Sequence, residues 1–358
     1  MGEIEEKSSL QDKKRNKTKR ILTFEATFIS MANSFELTFT NLTNNSDFEK
    51  EALALYAFQK NQNPVLKRYL QLTNRYNIPV NSIKDLTFLP VSFFKTHKVS
   101  CSNRQEETVF LSSTTSGGSP SRHFVYNLKE YLKHTESCFN FIFKDISSYC
   151  HLALLPSYLE REGSSLVSMV QHFIGQSAFA ESGFYLHNHQ DLVQKLQKNN
   201  RKGIPSILWG VSYALLDLSE NFNLELPNTM VIETGGMKGR RAEITRKELH
   251  EILQKSLKPK AIFSEYGMTE MLSQCYTQGG EKFYCPPSVR VLGRDIQDPF
   301  SLVDRGRNKL LNIIDLANKD SCAFLALDDI AHIHSPSEFE ILGRSDYSDI
   351  RGCNLMVQ

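Results

Sequence analysis

Apolar residues recur at helical spacing between residues 48 and 72, and this pattern predicts helix in that region. From about residue 138 onward, short aliphatic runs alternate with amphipathic segments of helical period. Such alternation is typical of a parallel β-sheet with helices packed on its faces. The predicted strands are residues 150–155, 206–210, 229–233 and 261–264. The sequence therefore predicts an α/β fold in which parallel sheets are flanked by helices.

The clearest helix signal begins at Thr245. Thr245 and Glu248 have the spacing of a capping box, in which each side chain bonds to the backbone N–H of the other residue. We predict that this helix packs on the sheet through one apolar stripe, formed by Leu249, Ile252, Leu253 and Leu257.

The bulk composition is that of an ordinary globular protein. The 358 residues are 40% hydrophobic and 23% charged, and no apolar run approaches the ~18 residues that a membrane span requires. A formal net charge of +2 provides no general attraction to nucleic acid. We therefore expect no nucleic-acid partner and no membrane span.

Cysteine and histidine patterns exclude several kinds of site. The seven cysteines include no CxxC pair, so neither a disulfide framework nor a zinc site is indicated. The ten histidines show no HExxH spacing. Because no signal-peptide pattern is evident either, we expect a reduced, cytoplasmic protein.

A loop rich in hydroxyls and glycines follows the extended residues 108–110. Residues 111–122 read LSSTTSGGSPSR, which combines backbone groups that can approach a phosphate, hydroxyl donors and the cation of Arg122. The Gly-Lys-Ser/Thr ending of a Walker loop is absent. On composition alone, phosphate binding and a simple linker both remain open.

Three further motifs follow in order along the chain. Residues 264–270, SEYGMTE, come directly after a predicted strand, where ligands of α/β sheets bind. Residues 327–330 read LDDI, and residues 343–346 read GRSD. Together with the earlier Ser/Thr/Gly loop, this ordered set resembles the signature of adenylate-forming enzymes such as acyl-CoA synthetases and phenylacetate-CoA ligases.

The resemblance implies ATP and Mg²⁺ as cofactors, and a role for each matching residue. The phosphates of ATP are expected at Ser112, Ser113, Thr115, Ser116 and Gly117, with Arg122 offsetting the charge that develops on them. Thr269 is expected to contact the α-phosphate and Glu270 to hold Mg²⁺. Gly235 and Gly236 are expected to lie against adenine, and Asp329 to bind the ribose hydroxyls with Arg344 nearby. Tyr266 and Gly267 are expected to be further nucleotide-binding residues.

A subgroup of these enzymes is closer in length. A typical acyl-CoA ligase continues past the GRSD-like motif into a lid domain, whereas this sequence stops at Gln358. Over about residues 45–358, it resembles the acyl-protein synthetases of bacterial luminescence operons, which share a Gly-Cys near the end of a short tail, here Gly352-Cys353. The resemblance implies that Cys353 accepts the acyl group. A thiolate is a strong nucleophile, and Arg351 beside it favours the charged form.

These resemblances define the expected function and its alternatives. We expect ATP-dependent activation of a carboxylic acid, with a fatty acid foremost, as an acyl-adenylate, followed by transfer to a cysteine as a thioester. An acyl-accepting reductase or transferase is the candidate protein partner. One alternative is an acyl-CoA ligase or acyltransferase that uses a free thiol. The other is a non-catalytic nucleotide-binding protein, favoured by Thr114, because the family usually has a glycine at this position.

The expected domain organisation has two parts. Residues 1–30, with six basic residues between positions 13 and 20, are predicted to be a disordered extension, and Met31 is a plausible alternative start. Residues 31–358 are predicted to form the adenylating domain. Within it we expect a first part at 31–260 that holds the phosphate loop, a second subdomain at 261–346, and a tail at 347–358 that carries Cys353.

Overall fold

A computed structural model describes residues 45–113, 119–156, 163–235 and 244–345. Its helices are α1 (Asn45–Gln62), α2 (Pro64–Leu72), α3 (Phe93–Thr96), α4 (Leu128–Ile142), α5 (Ser165–Gln176), α6 (His189–Arg201), α7 (Ser212–Asn221) and α8 (Arg246–Leu257). Its strands are β1 (Leu89–Pro90), β2 (Thr108–Leu111), β3 (Arg122–Val125), β4 (Cys150–Leu154), β5 (Gly183–Phe184), β6 (Ser206–Gly210), β7 (Leu226–Glu233), β8 (Pro259–Tyr266), β9 (Cys275–Thr277), β10 (Phe283–Tyr284), β11 (Val289–Arg294), β12 (Leu302–Val303), β13 (Gly306–Asp315), β14 (Phe324–Ser335) and β15 (Glu338–Arg344). The predicted extension at 1–30 and the tail at 347–358 lie outside the described residues.

The first predicted helical region is divided in two by Asn63 and Pro64. The Asn63 side chain accepts hydrogen bonds from the backbone N–H groups of Val65 and Leu66, at 3.0 and 3.1 Å. Asn63 therefore caps α2, and Pro64 occupies the first turn, where a missing N–H costs nothing. A new helix begins here because this pair caps its first turn.

One large sheet joins most of the strands, and its order is β12-β11-β13-β14-β15-β10-β9-β8-β7-β6-β4-β5. The segment from β5 through β4, β6 and β7 to β8 is parallel, and every neighbouring pair from β8 to β12 is antiparallel. All four predicted strands lie in the parallel segment. The α/β prediction is therefore confirmed, and the antiparallel half extends the sheet beyond what was predicted.

Helix α8 begins as predicted. The Thr245 hydroxyl accepts from the N–H of Glu248 at 3.2 Å, and the Glu248 carboxylate accepts from the N–H of Thr245 at 2.7 Å. Of the predicted stripe, Leu249, Leu253 and Leu257 are buried, but Ile252 is 38% exposed. The prediction is wrong at Ile252 because, at ~100° per residue, it projects well away from the centre of the buried face.

The mainly aliphatic core of the parallel segment contains a buried Trp–His pair. Trp209 on β6 is fully buried and donates from its indole N–H to Nδ1 of His151 on β4 at 3.1 Å. His151 Nε2 lies 2.8 Å from the carbonyl of Ile146, so the imidazole is neutral and carries its proton on Nε2. Burial lowers the pKa of His151 to about 4, in agreement with this tautomer.

Across the described ranges, every helix is too short or too polar to span a bilayer.

Candidate active site

A cavity of about 480 Å³ lies at the carboxyl ends of β6, β7 and β8. This edge of a parallel sheet is where loops can be shaped for ligands without disturbing the core. Nine of the predicted site residues line it, namely Ser112, Ser113, Gly235, Tyr266, Gly267, Thr269, Glu270, Asp329 and Arg344. The fold thus brings residues from all four sequence motifs, and from the Gly235 strand end, to one place.

The hydroxyl-rich loop connects β2 and β3, which pair antiparallel up to Leu111 and Arg122. Its base is closed by Ser112 and Ser121: the Ser112 N–H donates to the Ser121 carbonyl at 3.1 Å, and the Ser121 N–H donates to the Ser112 hydroxyl at 2.9 Å. Both side chains line the cavity. The predicted Thr115, Ser116 and Gly117, together with Thr114, lie outside the described residues.

Arg122 is placed elsewhere than predicted. It is exposed on β3, and its guanidinium lies 5.9 Å from the centre of the Phe124 ring rather than on the cavity wall. The cation that does line this side of the cavity is Lys95, in the short helix α3. No periodic pattern indicates a role for Lys95, because its position depends on packing between segments far apart in the chain.

Asp329 is tied to the loop that follows β8. The Tyr266 hydroxyl donates to Oδ2 of Asp329 at 2.6 Å. Burial raises the pKa of the Asp329 carboxyl, while the Tyr266 hydrogen bond and the charge of Arg344 oppose that rise. Arg344 is the direct cross-strand partner of Asp329 in the β14–β15 pair. The two motifs LDDI and GRSD therefore meet because their strands are adjacent in register.

The loop between β8 and β9 is braced from three directions. His123 Nδ1 donates to the carbonyl of Thr269 at 2.7 Å, and the Asn318 side-chain amide donates to the carbonyl of Glu270 at 2.8 Å. The buried carboxylate of Asp315 accepts from the N–H groups of Leu272 and Ser273 at 2.8 and 3.1 Å, and from the Ser273 hydroxyl at 2.6 Å. These contacts fix the backbone that carries Thr269 and Glu270.

The carboxyl group of Glu270 is buried beside polar and charged groups. Only 7% of Glu270 is exposed, and burial raises its pKa. The Ser121 hydroxyl and the charges of Arg344 and Lys95 act in the opposite direction. A buried carboxylate with oxygen donors and few competing partners suits a hard cation such as Mg²⁺.

Glu265, near the end of β8, lies against Gly267, which follows that strand. The Glu265 side chain folds over Gly267 so closely that a Cβ at position 267 would clash with the Glu265 carboxylate oxygen. Glu265 also lines the cavity, and burial raises its pKa to about 8, with the nearby charge of Glu233 adding to the rise. Sequence reasoning missed Glu265, although it lies within the motif that was quoted.

The strand end of β7 is shaped by Glu233. Its Oε2 accepts from the N–H of Gly235 at 2.8 Å, and its Oε1 accepts from Nε of Arg246 at 3.1 Å. Gly235 has φ of +73°, a conformation that favours glycine. Gly235 reaches the cavity, whereas the predicted Gly236 lies outside the described residues.

The beginning of α5 adds a partial positive charge to the cavity. Ser164 caps this helix by accepting from the N–H of Val167 at 3.4 Å, and Ser164 and Ser165 both line the cavity. Unpaired N–H groups and the helix dipole make such a terminus favourable for anions. None of the sequence motifs indicated this helix terminus, because it reaches the cavity only through the packing of α5.

The residues present fit a nucleotide with a divalent cation. Serine hydroxyls, the first turn of α5, Lys95 and Arg344 offer donors and positive charge for phosphates. Glu270 and Asp329 offer carboxylate oxygens for a cation and for sugar hydroxyls. The volume of the cavity also lies in the range that is usual for small-molecule sites, ~300–1,000 Å³.

Comparisons with solved structures find chains of similar fold at low identity. One is McyG A-PCP complexed with phenylalanyl-adenylate (TM-score 0.48, 14% identity, 66% of this chain and 47% of that chain). Another is O-succinylbenzoate coenzyme A synthetase (MenE) from Bacillus subtilis in complex with ATP and magnesium ion (0.45, 14%, 67% and 51%). A third is fatty acyl-adenylate ligase from L. pneumophila in complex with acyl adenylate and pyrophosphate (0.41, 13%, 68% and 52%).

This chain spans about half the length of those three structures. No protein-family model matches the sequence, and no curated protein matches it.

Proposed function

We propose that this chain is an AMP-forming ligase that uses ATP and Mg²⁺ to activate a carboxylic acid as an acyl-adenylate. The observation that carries the proposal is the convergence of four sequence motifs on one cavity, where Ser112, Thr269, Glu270, Asp329 and Arg344 all line the wall. The Ser/Thr/Gly loop, the loop after β8 and the β14–β15 pair are far apart in the chain, so their shared location supports a shared ligand.

In the first half-reaction, a carboxylate oxygen of the acid attacks the α-phosphorus of ATP. The bond from that phosphorus to the bridging oxygen of pyrophosphate breaks, which gives acyl-AMP and pyrophosphate. Thr269 donates to the α-phosphate, and the hydroxyls of Ser112 and Ser113, with Lys95, neutralise charge on the departing phosphates. Glu270 holds Mg²⁺, which supplies further charge stabilisation when bound.

The nucleoside is held by other residues of the cavity wall. Asp329 accepts hydrogen bonds from the ribose hydroxyls. The 2.6 Å hydrogen bond from the Tyr266 hydroxyl orients the Asp329 carboxylate. Gly235 allows the flat adenine ring to approach the backbone at the end of β7. Binding at these remote groups positions the α-phosphorus for attack.

In the second half-reaction, the Cys353 thiolate attacks the acyl carbonyl, AMP leaves, and a thioester forms on the protein. This proposal rests on the resemblance to acyl-protein synthetases, since Cys353 lies outside the described residues. We further propose a fatty acid as the substrate, and an acyl-accepting reductase or transferase as the partner that removes the acyl group.

The products of ATP cleavage test the first half-reaction. With ATP labelled in its α-phosphate, hydroxylamine as an acyl trap and a panel of fatty acids, we expect AMP to form only when a suitable acid is present, with equal pyrophosphate. Formation of ADP, or of AMP at a rate that no acid changes, would contradict acid adenylation.

A labelled acid tests the second half-reaction. We expect label to remain on the denatured wild-type protein and to be absent from Cys353→Ser, which should still release AMP under hydroxylamine. The matched control is Cys101→Ser, because burial raises the pKa of the Cys101 thiol and makes it a poor nucleophile. Label that persists in Cys353→Ser, together with AMP formation that responds to added free thiol, would favour a ligase that uses an external thiol.

The second candidate function is nucleotide binding without catalysis. It is favoured by Thr114, which stands where the resembled enzymes usually have glycine. In that case ATP would bind, with Asp329→Asn weakening it, but no acid in the panel would yield AMP.

A further inference from the structure

A second group of metal-ligating side chains lies on the hairpin of β14 and β15, outside the cavity. His332 and His334 are two residues apart on β14, so they project from the same face of the sheet. Glu340 on β15 is the direct cross-strand partner of His332. The strand register therefore places two imidazoles and one carboxylate side by side.

The potential ligand atoms converge. One ligand atom from each of His332, His334 and Glu340 lies within 4.8 Å of the other two. The two imidazole rings are 4.0 Å apart between centres, and the closest carboxylate distances are 3.0 Å from His334 Nε2 and 3.7 Å from His332 Nδ1. Small side-chain rotations would bring all three to the ~2.0–2.2 Å that Zn²⁺ requires.

Two ring nitrogens of this group lack a hydrogen-bond partner among the described residues. Within the described residues, His332 Nδ1 and His334 Nε2 are buried atoms without a hydrogen-bond partner. The 3.0 Å separation of His334 Nε2 from Glu340 is thus close in distance but not aligned as a hydrogen bond. Buried polar atoms that lack partners are costly, and a cation at this point would satisfy both nitrogens and the carboxylate together.

We propose that His332, His334 and Glu340 bind one divalent transition-metal ion of the Zn²⁺ type. Imidazole nitrogen favours Zn²⁺ and its neighbours in the periodic table over Mg²⁺, which prefers oxygen ligands. Three protein ligands leave a fourth position for water. The side chains are 23–28% exposed, so an ion can reach them from solvent.

The location gives the bound ion a structural consequence. The ion cross-links β14 and β15. Further along the same pair of strands, Asp329 lies opposite Arg344. The site is independent of nucleotide, because none of its three ligands lines the cavity. It escaped the sequence motifs because its third ligand is supplied by strand pairing rather than by spacing along the chain.

Isothermal titration of the whole protein with Zn²⁺, without ATP or Mg²⁺, tests this site. We expect one Zn²⁺ per chain at high affinity, and affinity at least tenfold weaker in His332→Gln/His334→Gln. The matched control is His187→Gln/His189→Gln, a pair with the same spacing at the beginning of α6 that belongs to no three-ligand group among the described residues. The control should bind Zn²⁺ like the wild type.

Two further measurements keep the test decisive. Circular dichroism of the metal-free variants checks folding, and if the double histidine variant is unfolded, Glu340→Gln replaces it with the same expected loss. Co²⁺ bound to the wild type should show a visible spectrum without a thiolate charge-transfer band, because the ligands are nitrogen and oxygen. Absence of Zn²⁺ binding by the wild type, equal binding by wild type and the folded ligand variant, or a thiolate spectrum would overturn the proposal.

Discussion

Asp328 and Asp329 are adjacent on β14 and both line the cavity, yet their surroundings differ. Only Asp329, of the two, accepts from the Tyr266 hydroxyl and stands opposite Arg344 in the strand register. The resemblance to adenylate-forming enzymes also implies Asp329, because the aspartate of that family directly precedes an aliphatic residue, here Ile330.

Asp329→Asn should therefore weaken ATP binding while Asp328→Asn should not. Loss of a charge-assisted hydrogen bond to ribose costs about 1.5–3 kcal/mol, which corresponds to an increase of roughly tenfold or more in the KM for ATP. Steady-state kinetics of AMP formation at varied ATP would measure both variants. Equal effects of the two substitutions would contradict the assigned ribose contact.

Glu265 makes a prediction about stability and pH. Its pKa is about 8 in the folded chain against an ordinary value of 4.5, so between these values the folded state holds a proton that the unfolded state has lost. Stability should therefore fall as the pH rises through that window. Glu265→Gln removes the titration, and it should be more stable than the wild type at pH 8, on the order of 4 kcal/mol, with the difference shrinking toward pH 4.5.

Chemical denaturation at pH 5 and pH 8 would measure this difference. The matched control is Glu251→Gln, an exposed residue on α8 that should change little at either pH. A Glu265→Gln variant with the pH dependence of the wild type would show that Glu265 is ionised in the folded protein.

Among the elements, the parallel strands could be predicted and the antiparallel ones could not. Residues 150–154 and 206–210 are buried along their whole length, which produces continuous aliphatic runs that stand out in the sequence. Strands β13 and β14 are only partly buried, and their pairing shifts register between Gly306 and Lys309 and between Leu310 and Asn312, so their patterns are irregular. Likewise, the bonds of His123, Asn318 and Asp315 to the loop after β8 link distant segments, which no local pattern encodes.

The brace at Asp315 gives a prediction at the scale of that loop. Asp315→Asn replaces a carboxylate oxygen with a donor that faces backbone N–H groups, so a buried group loses its partner. We expect destabilisation of about 1–3 kcal/mol and a parallel loss of AMP formation, measured by urea unfolding and by activity. Asp304→Asn, which removes only an exposed ion pair with Lys84, should cost less than ~1 kcal/mol.

An unchanged urea midpoint in Asp315→Asn would show that the loop does not depend on this carboxylate. Loss of activity without loss of stability would instead indicate that the brace acts mainly by positioning Thr269 and Glu270.

For the molecule as a whole, the sequence motifs predicted which loops meet, but not everything that meets there. Nine predicted residues line one cavity, whereas Arg122 lies outside it, and Lys95, Ser164 and Glu265 were not foreseen. The residues within the motifs could be predicted because the resemblance to adenylate-forming enzymes fixes the order of the motifs along the chain. The others depend on where α3, α5 and the end of β8 pack in three dimensions.

The central claim is that this cavity transfers the adenylyl group of ATP to an acid. Acid-dependent exchange of labelled pyrophosphate into ATP measures that step alone, because it requires reversible adenylation and no acyl acceptor. We predict exchange with at least one acid of a broad panel. Glu270→Gln, which removes the Mg²⁺ ligand, should lose 100-fold or more, and the exposed control Glu281→Gln should retain full exchange. Exchange that no acid stimulates, or that Glu270→Gln leaves intact, would contradict the central claim.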